Sequence, residues 1–274
     1  MIFVDMGGRK VPALGFGTWA LTGSTCERAV EAALAIGYRH IDTAQAYGNE
    51  AEVGRAVARS RAPREELFIT TKIWHSNLAP AQVKSTFAES LTQLGMDYVD
   101  LLLVHWPNDS VPLKATLDAM AALKASGQVK AIGVSNFTVA LMREAVEILK
   151  REIVCNQVEY HPLLSQRAVI AYARRHGIAV TAYSPLARGR IGGHPALLPI
   201  AKKHGKTVNQ IVLRRLVEQD GVAAIPKTAS AEHARENFAI FDFALDAADR
   251  KAIDALGGNS RIVNPGWAPN WDAA

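Results

Sequence analysis

Four side chains of this sequence could together form a general acid. Asp42, Lys72 and His105 each lie at the end of a short apolar run, and Tyr47 follows Asp42 by five residues. An ammonium group favours the phenolate form of a nearby tyrosine. A buried ion pair of Lys72 with Asp42 is therefore expected to lower the pKa of Tyr47 well below its ordinary value of about 10. Such a tyrosine can donate a proton near neutral pH.

Other polar and aromatic side chains end the remaining apolar runs. The polar ones are Ser135, Asn136, Gln157, Tyr183, Ser184 and Lys227. Three tryptophans, Trp19, Trp74 and Trp106, come just after such runs and favour an aromatic pocket. If the runs are parallel strands of one barrel, these side chains converge on one mouth, where barrel enzymes have their active sites.

Taken singly, each of these residues also has a structural interpretation. The alternatives are an ion pair without catalysis for Asp42 and Lys72, a surface-loop aromatic for Tyr47, a core position for His105, a helix cap before Val139 for Ser135 and Asn136, a turn for Ser184 and Pro185, and plain packing for the tryptophans.

The elements that must position these residues follow from hydrophobic periodicity. Short apolar runs alternate with amphipathic stretches along almost the whole chain, as in repeated βα units. The predicted strands are 13–16, 40–43, 67–73, 99–105, 129–135, 155–160, 179–184 and 223–227. Predicted helices include 27–36, 81–94, 113–124, 141–150, 197–204 and 208–219. Because the strands are nearly all apolar, we expect a parallel (β/α)8 TIM barrel, formed by residues 1–274 as one domain.

Two glycine-containing segments lie at the start of the chain. Met6-Gly7-Gly8 joins two short β-type runs, which predicts an N-terminal β-hairpin against one end of the barrel. Residues 15–20 match the dinucleotide-binding pattern G-x-G-x-x-A, but that pattern requires a helix directly after it. Residues 21–24 interrupt such a helix, and Thr25 is a better start, so these glycines are interpreted as part of a barrel loop.

Composition narrows the class of protein. The 274 residues are 49% hydrophobic with a net charge of +5, and their cations are scattered, which argues against disorder and nucleic-acid binding. Cys26 and Cys155 lie far apart outside any metal-ligand spacing, so we expect no metal and a reducing cytoplasm. Because the sequence shows neither a leader-like start nor a long apolar run, we expect a protein that is not associated with membranes. We also expect a monomer.

Eight motifs occur in a fixed order over nearly the entire chain. They are GFGTW (15–19), HIDTAQAYGNE (40–50), ITTKIW (69–74), DLLLVHWP (100–107), IGVSNF (132–137), NQVEYHP (156–162), YSPLARG (183–189) and IPKTAS (225–230). Together they resemble the aldo-keto reductase family. The resemblance implies reduction of aldehydes and ketones, with a hydride from NADPH, or from NADH, and a proton from Tyr47.

The resemblance also implies a role for each matching residue. Tyr47 would protonate the carbonyl oxygen, with its pKa lowered by Lys72, which Asp42 holds, and His105 would orient the carbonyl. The implied cofactor-binding residues are Gly17, Thr18, Trp19, Asp42, Ser135, Asn136, Gln157, Tyr183, Ser184, Pro185, Leu186, Gly189, Lys227, Thr228, Ser230, His233, Glu236 and Asn237. The implied substrate-binding residues are Trp19, Tyr47, Trp74, His105 and Trp106.

Two departures from longer relatives bear on specificity. The segment 106–113 and the tail 264–274 are short, so the chain is similar to bacterial members such as 2,5-diketo-D-gluconate reductases and methylglyoxal reductases, with an open pocket for small polar carbonyls. His233 stands where some relatives have an arginine for the 2′-phosphate of NADPH. Arg235 lies about 200° further round the helix and should face away, so discrimination against NADH should be weak.

Two other functions remain open at this point. Lys72 and Lys227 both end predicted strands, so a Schiff-base enzyme such as an aldolase is an alternative, though a remote one. A member that binds the cofactor without turnover is another, and the complete set of four candidate catalytic residues argues against it.

Overall fold

Eight parallel strands, hydrogen-bonded in sequence order, form the centre of the computed structural model, which describes residues 1–149 and 152–272. They are β3 (Phe16–Gly17), β4 (His40–Asp42), β5 (Phe68–Ile73), β6 (Val99–Val104), β7 (Val129–Ser135), β8 (Ile153–Glu159), β9 (Ala179–Tyr183) and β10 (Val222–Ala224). Hydrogen bonds from Gly15 N to Ala224 O (2.9 Å) and from Ala224 N to Ala13 O (2.7 Å) join the first strand region to the last. The sheet therefore closes, and the predicted TIM barrel is confirmed.

Helices follow every barrel strand. They are α1 (Gly23–Ile36), α2 (Glu50–Arg59), α3 (Pro80–Leu94), α4 (Leu113–Ala125), α5 (Val139–Leu149), α6 (Arg167–Arg175), α7 (Leu198–His204), α8 (Val208–Val217), α9 (Ala231–Phe238) and α10 (Ala247–Asp254). All six helices predicted above are present within a few residues, and the predicted end at Lys150 lies outside the described residues. Strands β5, β6 and β8 are buried along their whole length, as expected for strands covered on both faces.

The predicted hairpin closes the end of the barrel opposite the candidate site. Strands β1 (Phe3–Met6) and β2 (Arg9–Pro12) pair antiparallel, and Gly7 and Gly8 take positive φ values of 69° and 88° in the turn. The Arg9 guanidinium binds the fully buried carboxylate of Asp100, which follows the first residue of β6.

Three sequence expectations about the first and last elements of the barrel are wrong in detail. β3 begins at residue 16 and includes Gly17, so the glycines of the G-x-G segment lie in and beside a strand and not in a loop. A Cβ on Gly17 would meet Ile225 O at 2.9 Å, so glycine allows close strand contact there. Helix α1 begins at Gly23, not Thr25. β10 ends at Ala224, because Pro226 lacks the N–H that would extend the ladder.

The described ranges contain no helix with both the length and the apolar character needed to cross a membrane.

Candidate active site

A buried ion pair lies beneath the tyrosine hydroxyl at the carboxyl end of the barrel. Asp42 is the last residue of β4 and Lys72 lies in the neighbouring strand β5. Lys72 Nζ donates hydrogen bonds to Asp42 Oδ1 at 2.6 Å, to Thr43 O at 2.8 Å and to Tyr47 Oη at 3.2 Å. Tyr47 ends a 3-10 turn, Gln45–Tyr47, that directs the phenol back over the strand ends. The structure thus brings the three residues together as predicted.

The second oxygen of Asp42 is also held. Gln157 Nε2, from β8, donates to Asp42 Oδ2 at 2.7 Å, so each carboxylate oxygen has a fixed donor. Lys72 is 0% exposed and Asp42 is 1% exposed. Separation of the two side chains would leave each as an isolated buried charge, which is energetically costly. The ion pair is therefore held in a fixed geometry.

The expected direction of the Tyr47 pKa is wrong. Burial, together with the negative charge of Asp42, raises the pKa of Tyr47 well above its ordinary value. Lys72 does not reverse this shift, since its positive charge is balanced by Asp42, and burial lowers the pKa of Lys72 itself. The phenol is therefore neutral and carries its proton at neutral pH.

His105 follows β6 directly and faces the same cavity. Its ring centroid lies 5.6 Å from that of Tyr47, edge to face, and the residue is 8% exposed. Burial and the nearby charge of Lys72 hold the pKa of His105 well below its ordinary value, so the imidazole is neutral. Its buried Nδ1 has no hydrogen-bond partner among the described residues, which disfavours the alternative of a satisfied core histidine.

Amide and hydroxyl side chains surround the ion pair. Tyr183 Oη donates to Asn136 Oδ1 at 2.8 Å, and Asn136 Nδ2 donates to His105 O at 2.9 Å. Ser135 Oγ donates to Gln157 O at 2.8 Å. Ser135 and Asn136 do not cap α5, because Thr138 Oγ1 accepts the hydrogen bond from the N–H of Leu141 there. The capping alternative is therefore wrong, and both polar residues face the cavity.

A cavity of about 1000 Å³ opens from this cluster. The predicted site residues that line it are Gly17, Trp19, Asp42, Tyr47, Trp74, His105, Trp106, Ser135, Asn136, Gln157, Tyr183, Ser184, Pro185, Leu186, Gly189, Lys227, Thr228, His233 and Asn237. All three tryptophans lie at its wall, so the aromatic pocket is present. Ser184 also forms a turn, with φ at 48° and its carbonyl accepting from Ala187 N.

Four predicted site residues do not line the cavity. Lys72 lies beneath it, and Thr18 is buried with its hydroxyl donating to Asp42 O at 3.0 Å. Ser230 caps α9 by accepting the His233 N–H at 3.2 Å, and Glu236 accepts from Thr207 Oγ1 at 2.7 Å. These four side chains support the lining residues, and their polar groups are engaged within the protein.

Helix α9 separates the two candidate phosphate-binding cations. His233 lines the cavity, whereas Arg235 lines a separate surface groove between α1 and α9. The expectation from helical spacing that Arg235 faces away from the site is confirmed.

Sequence reasoning missed part of the cavity wall. The further lining residues are Ala46, Arg188, Asn209, Ile225, Pro226, Ile262, Val263, Asn264, Pro265 and Trp267. The Arg188 guanidinium lies 4.4 Å from the ring of Trp19, across the mouth. Arg188 belongs to the YSPLARG motif and could have been found there. Residues 262–267 carry no periodic pattern, and only their proline and tryptophan hint at a folded segment.

The Schiff-base alternative finds no support at Lys72. Lys72 Nζ is fully buried and makes three hydrogen bonds, so it is not an accessible amine for a Schiff base. Within residues 1–149 and 152–272, no three His, Cys, Asp or Glu side chains are grouped so that they could hold a metal ion.

Comparison with known proteins places this chain among enzymes of one family. The profile of the aldo/keto reductase family matches residues 13–257. The methylglyoxal reductase DkgB of Escherichia coli O157:H7 is 43% identical over 266 residues, 96% of this chain and 99% of that protein. An aldo-keto reductase of Mycobacterium sp. strain KMS is 40% identical over 259 residues, 93% of this chain and 92% of that protein.

The fold is shared with a solved structure. A crystal structure provisionally named as a 2,5-diketo-D-gluconic acid reductase B superimposes with a TM-score of 0.97 at 45% identity, covering 100% of this chain and 98% of that one. With a family match over most of the barrel and relatives of this identity over nearly the full length, the chain belongs to the aldo/keto reductase family.

Proposed function

We propose that this protein reduces aldehydes and ketones to alcohols with a nicotinamide cofactor, and that Tyr47 donates the proton. The observation that carries the proposal is the chain of hydrogen bonds from Asp42 through Lys72 to Tyr47 Oη at the base of the cavity. A reduced carbonyl oxygen must gain a proton, and a neutral phenol facing the cavity holds one.

Lys72 acts on the state that follows proton transfer. Once the proton has moved from Tyr47 Oη to the carbonyl oxygen, the phenolate left behind accepts the hydrogen bond from Lys72 Nζ. A preformed donor beside a developing charge stabilises the transition state without rearrangement. Neutral His105 has one N–H and, lining the same cavity, can donate it to the substrate carbonyl and so orient it.

The residues at the cavity base fit a nicotinamide. Ser135 and Asn136 are buried polar side chains that nevertheless line a cavity, and Gln157 adds a second amide. An amide and hydroxyl set of this kind complements a carboxamide, while the ring of Tyr183 supplies a flat surface for stacking. When bound, the reduced nicotinamide supplies a hydride to the carbonyl carbon.

We infer NADPH as the preferred form. Lys227, Thr228 and His233 line the far end of the cavity, and Ser230 caps α9 beside them. Cations and hydroxyl groups near a helix N-terminus favour a phosphate ester. Neither lysine nor histidine offers the planar, two-pronged donor set of an arginine, so we expect the preference over NADH to be modest.

The substrate wall favours small carbonyl compounds. Trp19, Trp74 and Trp106 line the cavity around Tyr47 and His105. Because the similar proteins named above include a methylglyoxal reductase and a structure provisionally named as a diketogluconic acid reductase, we propose small polar carbonyls or dicarbonyls such as methylglyoxal or 2,5-diketo-D-gluconate.

We also infer a cytoplasmic monomer without nucleic-acid partners. Cys26 and Cys155 are buried free thiols, which suits a reducing compartment. The exposed large apolar side chains among the described residues are Met1, Phe3, Trp19, Leu198 and Trp267, and Trp19 and Trp267 border the cavity.

The proposal is tested by following NADPH absorbance with a panel of aldehydes, ketones and dicarbonyls. We expect consumption with small dicarbonyls and a fluorescence titration that shows NADPH binding. Binding without consumption of NADPH by any carbonyl would favour a cofactor-binding protein without turnover and contradict the proposed reduction.

A further inference from the structure

The last described stretch of the chain covers part of the cavity mouth. We call residues 258–272 the C-terminal strap. Ile262, Val263, Asn264, Pro265 and Trp267 of the strap all line the cavity. No helix or barrel strand runs through the strap in the described ranges, so its peptide groups need partners from elsewhere.

A buried carboxylate supplies those partners. Glu159 is the last residue of β8, on the same face as Gln157, because side chains alternate along a strand. Glu159 Oε1 accepts the N–H of Ile262 at 2.8 Å, and Oε2 accepts the N–H of Val263 at 2.8 Å. His161 Nε2 adds a third hydrogen bond to Oε1 at 3.0 Å. Each oxygen of this fully buried carboxylate thus holds one of two consecutive strap residues.

The energetics favour a charged, firmly bound carboxylate. Burial would raise the pKa of Glu159, but the hydrogen bonds from His161, Val263 and Ile262 outweigh burial and hold it below its ordinary value. Hydrogen bonds to a charged acceptor are stronger than those between neutral groups, so this contact dominates the local hold on residues 262 and 263.

The remaining contacts hold the two ends of the strap and Trp267, whose ring stacks on His75 at 4.9 Å and packs against Trp74 at 6.1 Å. Ser165 N donates to Gly258 O at 2.9 Å and Ser260 N to Leu163 O at 3.0 Å at its beginning. Near its end, Asp272 Oδ2 accepts the N–H of Val139 at 2.8 Å. Loss of the Glu159 contact should therefore loosen the strap around Ile262 and Val263 without detaching it.

We propose that Glu159 is a positioning residue that fixes the C-terminal strap and thereby sets one wall of the substrate pocket. The substrate part of this inference rests on the proposed carbonyl reduction, whereas the anchoring of the strap does not. Glu159 touches neither the ion pair nor the tyrosine hydroxyl, so its effect should fall on substrate binding.

The test compares Glu159→Gln with the wild type. Glutamine has the same shape, but its NH2 group cannot accept a hydrogen bond, so at least one buried strap N–H loses its partner. Hydrogen exchange of a peptide covering 258–268 should become about tenfold faster. KM for a reduced aldehyde should rise about tenfold, with kcat within about threefold and NADPH affinity within about twofold of wild type. Glu66→Gln, which removes a half-exposed carboxylate bonded to Arg39, should change none of these.

Each outcome decides. Unchanged strap exchange in Glu159→Gln would overturn the anchor, and faster exchange with unchanged KM would overturn its role in the substrate pocket. A wild type that reduces no carbonyl would contradict the proposed function, while hydrogen exchange of the strap would still test the anchoring by Glu159.

Should Glu159→Gln not fold, residue-resolved hydrogen exchange in the wild type replaces the variant. The amides of Ile262 and Val263 should exchange at least about tenfold more slowly than that of Trp267, and equal rates would overturn the anchor.

Discussion

At Tyr47 two opposing effects decide whether the phenol keeps its proton. Lys72 lies 3.2 Å from the hydroxyl and favours the phenolate, but its charge is balanced by Asp42 at 2.6 Å. Burial and Asp42 both favour the neutral phenol, and they raise the pKa of Tyr47. We therefore propose that Lys72 stabilises the phenolate formed during reaction and does not create one beforehand.

This balance predicts the pH dependence of reduction. Reduction requires the protonated phenol and is lost as pH rises through the pKa of Tyr47, which burial and Asp42 raise well above its ordinary value. We expect kcat/KM for an aldehyde to show no decline attributable to Tyr47 between about pH 6 and about pH 9. In Lys72→Met the phenolate lacks its donor, so kcat should fall at least about 100-fold.

The measurement is steady-state reduction over that pH range, with Lys114→Met as the control. Lys114 is exposed and pairs with Asp118 on α4, so its loss should leave kcat unchanged. A decline of wild-type kcat/KM near neutral pH, absent in Tyr47→Phe, would contradict the raised pKa. A normal kcat in Lys72→Met would leave the lysine a purely structural role.

At the residue scale the sequence predicts positions better than energies. The convergence of Asp42, Lys72 and His105 follows from their places at predicted strand ends, that of Tyr47 from its place in the loop after Asp42, and the structure brings the four together. The direction of the Tyr47 pKa could not be predicted, because it depends on how deeply the phenol is buried and on how completely Asp42 neutralises Lys72.

Helix α9 is the element that shapes the far end of the cavity. Its N-cap, Ser230, holds the first turn, and His233 on that turn faces the cavity while Arg235 faces the groove beside α1. One change of residue on the cavity-facing side should therefore alter cofactor choice, and a change on the other side should not.

We expect His233→Arg to raise the preference for NADPH over NADH on the order of tenfold, since a guanidinium fork binds a phosphate more strongly than an imidazole. The measurement is kcat/KM for both cofactors, with Arg235→Gln as the control. No gain in His233→Arg would assign the phosphate to another residue.

Sequence patterns predict the boundaries of the long inner strands better than those of the short outer ones. The inner strands, β5 to β9, were predicted within two residues at each end because they are continuous apolar runs bounded by polar residues. β3 and β10 are short and close the barrel through hydrogen bonds of Gly15 and Gly17 to the region of Pro226. These two strands are defined by their pairing with each other, and no local sequence pattern marks their ends. The strap 258–272 was not predicted as a cavity wall, since its partner Glu159 lies about a hundred residues away.

Across the whole molecule, two buried neutral histidines lie at opposite ends of the barrel. His40, near the hairpin end, donates from Nδ1 to Pro12 O at 3.1 Å and is 1% exposed. Burial lowers the pKa of His40, as it does that of His105 at the cavity. Both groups take up protons more readily in the unfolded chain than in the folded one.

This difference predicts acid destabilisation above the range in which carboxylates titrate. Because the unfolded state binds more protons, the free energy of unfolding should decrease as pH falls below about 6.5. Urea unfolding between about pH 7.5 and about pH 5.5 measures the slope. In His40→Gln the glutamine keeps a donor for Pro12 O but cannot titrate, so the slope should be smaller. An identical slope in both proteins would show that His40 is not responsible.

The most direct test of the account is the proton donor. Tyr47→Phe keeps the ring and its packing against His105 but removes the only hydroxyl bonded to Lys72 among the described residues. Steady-state reduction of methylglyoxal should lose at least about 100-fold in kcat, while NADPH affinity from fluorescence titration stays within about twofold. Tyr98→Phe, whose ring stacks on Arg64, should retain wild-type kcat. A near-normal kcat in Tyr47→Phe would contradict the assignment of Tyr47 as the acid.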